Sequence, residues 1–202
     1  MLALPKKTRG SHYAVEFDVL MYLRYLATGS FMLISGELLN LSKSSCHRAV
    51  HLVAEKISHL HNDLIKFPDS LSRIKQKFLQ KSRFPEIIGA IDCTQIKIQS
   101  PSRENGEIFR NRKGYFSINV QAVCDLDQRF LDVVCQWPGS THDSRIFNNS
   151  RLRVRLDEGE LQGKLLGDAG YPLLPYLITP YPQNVSRERS SNTLMYFYKY
   201  FL

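Results

Sequence analysis

The sequence predicts an α+β chain, a helical first part followed by a mixed sheet. Three observations carry this. The apolar period changes from helical spacing to a period of two at Pro85. The positive charge is concentrated in the first part, where residues 1–90 hold 13 basic and 7 acidic side chains and residues 91–202 hold 14 and 12. The composition, 43% hydrophobic and 23% charged over 202 residues, is that of an ordinary globular chain with enough length for one good core. The expected division is 1–84 helical, 85–182 sheet-bearing and 183–202 a tail of different character. No run of about 18 apolar residues predicts a membrane span, and the start MLALPKKTRGSHY lacks the apolar stretch of a secretory signal. Cys46, Cys93, Cys124 and Cys135 show no CxxC and no paired His spacing, so neither a zinc site nor a disulfide framework is expected and a reducing compartment is the default.

The elements follow in order. Residues 17–28 place Phe17, Leu20, Leu23 and Ala27 at helical spacing, and Gly29 ends the run. Ser30 is suited to cap a second helix with Phe31, Ile34 and Leu38 on one face. Ser42 is suited to cap a third, with Cys46, Ala49, Val50, Val53, Ile57 and Leu60 inward. The other face of that helix shows Lys43, Ser44, His47, Arg48 and His51. A short helix, a tight turn and a helix with a basic first face follow helix-turn-helix logic, in which the early residues of the second helix meet bases and phosphates; the alternative is a three-helix unit with a solvated face. His47, His51, His59 and His61 lack a Cys or carboxylate to complete a metal set and read as surface residues. The net charge of +8 favours a polyanion, because neutralising phosphates releases counterions. A further helix is predicted over 70–81, with Leu71, Ile74 and Phe78 inward, between Pro68 and Pro85.

Beyond Pro85, residues 87–99 read as a strand. Residues 116–124 alternate Phe116, Ile118, Val120, Ala122 and Cys124 against Ser117, Asn119, Gln121 and Val123. Residues 129–136 make a third strand, and Asp125–Gln128 is the hairpin turn between them. A short helix is predicted near Asp143, then a strand from Lys164 running into a turn at Tyr171, and a short strand at 177–181.

Asp92, Asp143 and Asp168 each sit where an apolar strand ends or is interrupted. A carboxylate there is costly unless it is paired, hydrogen-bonded or metal-bound. Converging carboxylates with few basic neighbours suit a hard cation, Mg²⁺ or Mn²⁺. The alternative gives each Asp a local role, Asp143 capping a helix and Asp168 closing a turn.

Four segments, GAIDCTQIKI, NRKGYFSINVQAVCD, WPGSTHDSRIF and LLGDAGYPL, stand in this order with coherent gaps. Together they resemble the DDE-superfamily transposases of the Harbinger type and the nucleases derived from them. The preceding LRYLATGSF…LLNLSKSSCHRAV resembles the helix-turn-helix of that family. The resemblance runs from about residue 15 to about residue 182. It implies an RNase H-like fold and divalent-metal-dependent DNA endonuclease chemistry. Asp92 and Asp168 then resemble the catalytic carboxylates, and Asp143 resembles an additional metal ligand. Arg112, Lys113 and Arg145 are expected to meet the DNA backbone. The family also implies a Myb-like DNA-binding partner and a nuclear location.

The resemblance ends at about residue 185. The family's last catalytic residue is a Glu on a helix after the fifth strand, whereas this chain ends 34 residues past Asp168. The only later carboxylate side chain, Glu188, lies in a polar stretch, QNVSRERSSN, and is not assigned that role. The expectation is a nuclease domain incomplete at its C-terminus, weak or inactive in this form, or a non-catalytic DNA-binding or interaction module derived from a transposase.

Overall fold

A computed structural model of the chain describes residues 15–37, 41–101 and 106–180. It divides into two compact units, Met1–Leu64 and Ile65–Leu202.

The first unit is helical: α1 (Val15–Thr28), α2 (Met32–Glu37), α3 (Lys43–Ser58) and the single turn α4 (His61–Leu64). Ser42 caps α3 as expected, its Oγ accepting from the Ser45 amide at 3.2 Å. Cys46, Ala49, Val50 and Val53 of α3 are buried, as the spacing predicts. Gly36 is required at its position because a Cβ there would lie 2.4 Å from the Cys46 Sγ and 2.8 Å from the Leu41 carbonyl oxygen. Leu38, expected on the face of the second helix, and the turn predicted after it fall on residues 38–40, outside the described residues. The apolar positions that mark α1 as a helix are not the ones it buries. Met21 and Asp18 are buried, whereas Phe17, Leu20, Leu23 and Ala27 are exposed. Met21 clusters with Cys46 and Ala49, so α1 turns its 18/21 side to α3 and leaves its most regular apolar stripe outside.

The second unit opens with α5 (Ser72–Ser82). The boundary at residue 64 is 20 residues earlier than expected, because Ile74 and Phe78 of α5 belong to the same core as the sheet. The strands are β1 (Ile87–Lys97), β2 (Ser117–Cys124), β3 (Phe130–Pro138), β4 (Lys164–Leu166) and β5 (Leu177–Ile178), in the order β3-β2-β1-β4-β5. β1, β2 and β3 pair antiparallel, while β4 joins β1 and β5 joins β4 in parallel. Between β3 and β4 run α6 (Asp143–Asn148) and α7 (Arg151–Asp157). Three antiparallel strands, helices, then strands parallel to the first is the order expected of a DDE nuclease domain. α7 is the one described helix of this stretch absent from the sequence reading, although Ser150 caps it by accepting from the Arg153 amide and Leu152 and Leu156 are its buried i, i+4 pair.

The core joins Ile87, Ile88 and Ile91 of β1 to Leu165 and Leu166 of β4, Phe78 of α5, Phe147 of α6, and Leu152 and Leu156 of α7. Each such side chain contributes roughly 1.5–3 kcal/mol by leaving water. β1 is thus central, and whatever it carries past Ile91 stands between β2 on one side and β4 on the other.

Candidate active site

The register of β1 with β4 sets Ala90 beside Leu166. Two residues beyond that pair come Asp92 on β1 and Asp168 just past β4, and the charge of Asp168 reaches the Asp92 carboxyl. Both carboxylates are half-buried. Asp168 closes a local turn, its Oδ1 accepting from the Gly170 amide at 2.8 Å, so the turn role and a place in the site coexist. Asp143 is the first residue of α6 and its Oδ1 accepts from Asn119 Nδ2 at 2.9 Å. A Cβ on Gly170 would lie 2.9 Å from Asp168 Oδ1 and 3.4 Å from Asp143 Oδ2, so those two oxygens border the same small space.

The three carboxylates share one field. The Asp92 carboxyl is pushed up to about 6 by burial first. The Cys93 backbone N–H opposes this, and the negative charges of Asp168 and then Asp143 add to it. The Cys93 thiol is raised mainly by burial and lies 3.2 Å from the Tyr171 hydroxyl. Tyr171 is itself buried and raised, and meets Phe147 of α6 edge to face.

The sequence reading missed the groups that hold this arrangement in place. On β2 the buried residues are Ser117, Asn119, Gln121 and Val123, the more polar half of the alternation. Asn119 also donates to the Thr141 carbonyl at 2.9 Å, which pins the segment before Asp143. Ser117 donates to Gln95 Oε1 at 2.6 Å, accepts from Asn111 Nδ2 at 2.9 Å, and bonds the Gly139 amide through its own carbonyl. Gln95 donates in turn to the Gly139 carbonyl at 3.3 Å. Gly139 needs its lack of a side chain, since a Cβ would stand 2.2 Å from the Ser117 Oγ and 2.7 Å from the Phe109 carbonyl oxygen. A polar half-strand facing inward is the signal that could have found this network.

The residues expected to touch DNA fall in both units. Lys43, Ser44, His47 and Arg48 are exposed on the first turns of α3, with the Arg48 guanidinium 3.5 Å from the Ser45 Oγ and the His47 and His51 rings 4.2 Å apart. In the second unit Arg112 hydrogen-bonds the His142 ring, and His142 is the N-cap of α6, immediately before Asp143. Arg145 is exposed on α6 and Lys113 in the turn before β2.

The donor set suits a hard cation in its chemistry. All three carboxylates supply oxygen, and among the described residues none of them forms an ion pair with Lys or Arg. Nearby, Gln121 keeps both amide atoms and Asn119 its Oδ1 buried without a hydrogen-bond partner among the described residues. As placed, however, no three His, Cys, Asp or Glu side chains among the described residues are arranged to hold a metal ion. The carboxylates share a field without enclosing a common point.

Comparison with known proteins adds the following. The pattern of DDE superfamily endonucleases matches residues 91–196, past residue 185 where the recognisable motifs end. The chain is 31% identical over 189 residues to "Protein ALP1-like" of Arabidopsis thaliana, covering 86% of this chain and 47% of that one. It is 31% identical over 169 residues to "Putative nuclease HARBI1" of Rattus norvegicus and of Homo sapiens, covering 82% of this chain and 48% of each. The chain thus spans about half the length of the curated relatives it matches. No solved structure matches it significantly. These likenesses accord with the Harbinger-type resemblance of the four motifs. Since the family pattern covers more than half of its residues, the chain belongs to the DDE superfamily endonucleases.

Proposed function

We propose that the second unit is a divalent-metal-dependent DNA endonuclease domain. The observation that carries this is that Asp92 of β1 lies in the field of Asp168, just past β4, and of Asp143 at the start of α6, its carboxyl raised by burial first and by those two charges after it. Asp92, Asp168 and Asp143 would hold the metal. A bound divalent cation would activate the attacking water and stabilise the leaving 3′-oxygen of the phosphodiester. Asn119 keeps Asp143 oriented, and the Gly170 amide keeps Asp168 oriented. Arg112, held by His142 next to Asp143, and the exposed Arg145 and Lys113 would meet backbone phosphates. No Glu among the described residues enters the field of Asp92, so cleavage by these three carboxylates alone is expected to be slow.

The test is supercoiled plasmid incubated with the purified chain and Mn²⁺, beside Asp92→Asn. Nicking by the parent alone supports the reading. A folded parent that neither nicks DNA nor gains stability from Mn²⁺ overturns it. In that case the reading favoured by the exposed Lys43, Ser44, His47 and Arg48 stands instead. It is a non-catalytic DNA-binding module, indifferent to Asp92, acting in the nucleus alone or with a Myb-like partner.

A further inference from the structure

The three aspartates stand on separate pieces of the chain, and two further side chains join those pieces. The register of β1 with β4 ends at Ala90 and Leu166. Past it, Cys93 and Tyr171 meet side chain to side chain, the thiol 3.2 Å from the hydroxyl. Cys93 directly follows Asp92 on β1. Tyr171 closes the turn that Asp168 opens, its amide donating to the Asp168 carbonyl at 3.2 Å. The third piece is α6. Phe147, one helical turn after Asp143, meets the Tyr171 ring edge to face with centroids 6.0 Å apart.

The ring of Tyr171 and its hydroxyl have different reasons to be there. The residue is 4% exposed, and a Cβ on Gly167 would lie 3.2 Å from its Cδ2. A phenylalanine ring would fill that space equally well. The hydroxyl adds nothing to the packing and is costly to bury without a partner. Its partner is a thiol, a weak hydrogen-bonding group with a single hydrogen. The Asp143 carboxylate lies within reach of that thiol as an acceptor. An ionised carboxylate only accepts, so the thiol hydrogen goes to Asp143 and the hydroxyl hydrogen to the thiol sulfur. Burial keeps both groups protonated, so both hydrogens are present. Asp143 also accepts from Asn119 Nδ2 at 2.9 Å. Donors from two neighbouring strands, Cys93 on β1 and Asn119 on β2, therefore converge on one carboxylate.

We infer that Tyr171 and Cys93 are positioning residues: the hydroxyl donates to the thiol, the thiol donates to Asp143, and this chain of hydrogen bonds fixes the Asp143 carboxylate relative to β1 and the Asp168 turn. The inference rests on the reading of the three aspartates as the metal-holding set. Neither side chain is itself a ligand; both act through Asp143.

The test has two arms, both on the full 202-residue chain. The first, in EDTA, reads the S–H stretching bands in the infrared, a region free of other protein absorption. The band lost in Cys93→Ser is that of Cys93. It is expected at low frequency because a carboxylate is a strong acceptor, to move up in Asp143→Ala, and to shift in Tyr171→Phe. The second arm is Mn²⁺ titration followed by electron paramagnetic resonance of the free ion. Tyr171→Phe and Cys93→Ala should each weaken binding about tenfold, as loss of a group that orients a metal ligand does. Cys93→Ser keeps a donor and an acceptor and should hold Mn²⁺ nearly as tightly as the parent. A Cys93 band indifferent to either Asp143→Ala or Tyr171→Phe overturns the inference, whether or not the chain binds Mn²⁺. So does a Tyr171→Phe protein that binds Mn²⁺ as tightly as the parent. A band that responds to both changes in a chain that binds no Mn²⁺ supports the hydrogen-bond chain and overturns the metal-holding reading instead. Should Cys93→Ala unfold, Tyr171→Phe, which keeps the packed ring, still decides.

Discussion

Replacing Asp92 by Asn should stabilise the metal-free protein. The Asp92 carboxyl stands at about 6 in the folded chain against an ordinary value of 3.8. At about 1.4 kcal/mol for each unit, holding the charge costs the fold at most about 3 kcal/mol above pH 6, and about 2 kcal/mol once solvent screening of the half-buried carboxyl is allowed for. The cause is burial first and the charges of Asp168 and Asp143 after it. Asn keeps an oxygen to accept from the Cys93 amide but has no charge. Its own amide must be half-buried, which takes back part of the gain. The net expectation is about 1–2 kcal/mol in favour of Asp92→Asn at pH 7.5 in EDTA, read from urea denaturation midpoints. The sign follows from proton linkage. Between pH 3.8 and 6 the folded parent holds more protons at this site than the unfolded chain does, so its stability falls as pH rises through that window and levels above it. The advantage of Asp92→Asn should therefore grow from near zero below pH 4 to its full size above pH 6. Mn²⁺ should stabilise the parent and close the gap, because it binds the native state alone. A variant no more stable than the parent at pH 7.5, or a gap that does not change between pH 4 and 6, would refute the reasoning.

Three further outcomes are expected. Gly139→Ala should destabilise the second unit by about 1–3 kcal/mol, since the new methyl group meets the Phe109 and Ser117 carbonyl oxygens at 2.7 and 2.8 Å and neither can retreat without breaking the turn; thermal unfolding checks it. Gly170→Ala should leave global stability within about 1 kcal/mol while displacing the Asp168 carboxylate, so the stabilisation by Mn²⁺ seen in the parent should shrink in a thermal-shift titration. Lys43→Ala with Arg48→Ala should weaken binding to duplex DNA and flatten its dependence on log salt by about 1.8, from about 0.9 for each lost phosphate contact, in fluorescence anisotropy at several salt concentrations.

The elements were largely legible in the sequence because their signals are local. Ser42 announces α3, and the run from Ile87 announces the central strand. The three aspartates were legible because a carboxylate against an apolar run is conspicuous. Two features were not, for different reasons. The buried side of α1 was not legible because periodicity reports that a face is apolar without reporting what covers it, and it is Met21 that packs on Cys46 and Ala49. The inner face of β2 was obscured because Ser117, Asn119 and Gln121 look like a solvent face until their partners, Gln95, Asn111 and the segment carrying Asp143, are brought in from elsewhere in the chain. Asn119 and His142 became visible as supports of the site only once the fold had placed Asp143 between them.

The parallel junction of β1 and β4 also bears on the order in which the molecule assembles. β1, β2 and β3 follow one another in sequence and pair antiparallel, β2 joined to β3 by the turn 125–129 and β1 to β2 through residues 98–116. β4 reaches β1 only after a long excursion; Cys93 and Tyr171, in contact across that junction, are 78 residues apart. Closing so long a loop is entropically slow, so the meander is the natural nucleus and β4 the late arrival. The electrostatic conflict between Asp92 and Asp168 is then met on the native side of the folding barrier. Removing it by Asp92→Asn should slow unfolding while leaving the refolding rate of the chain unchanged.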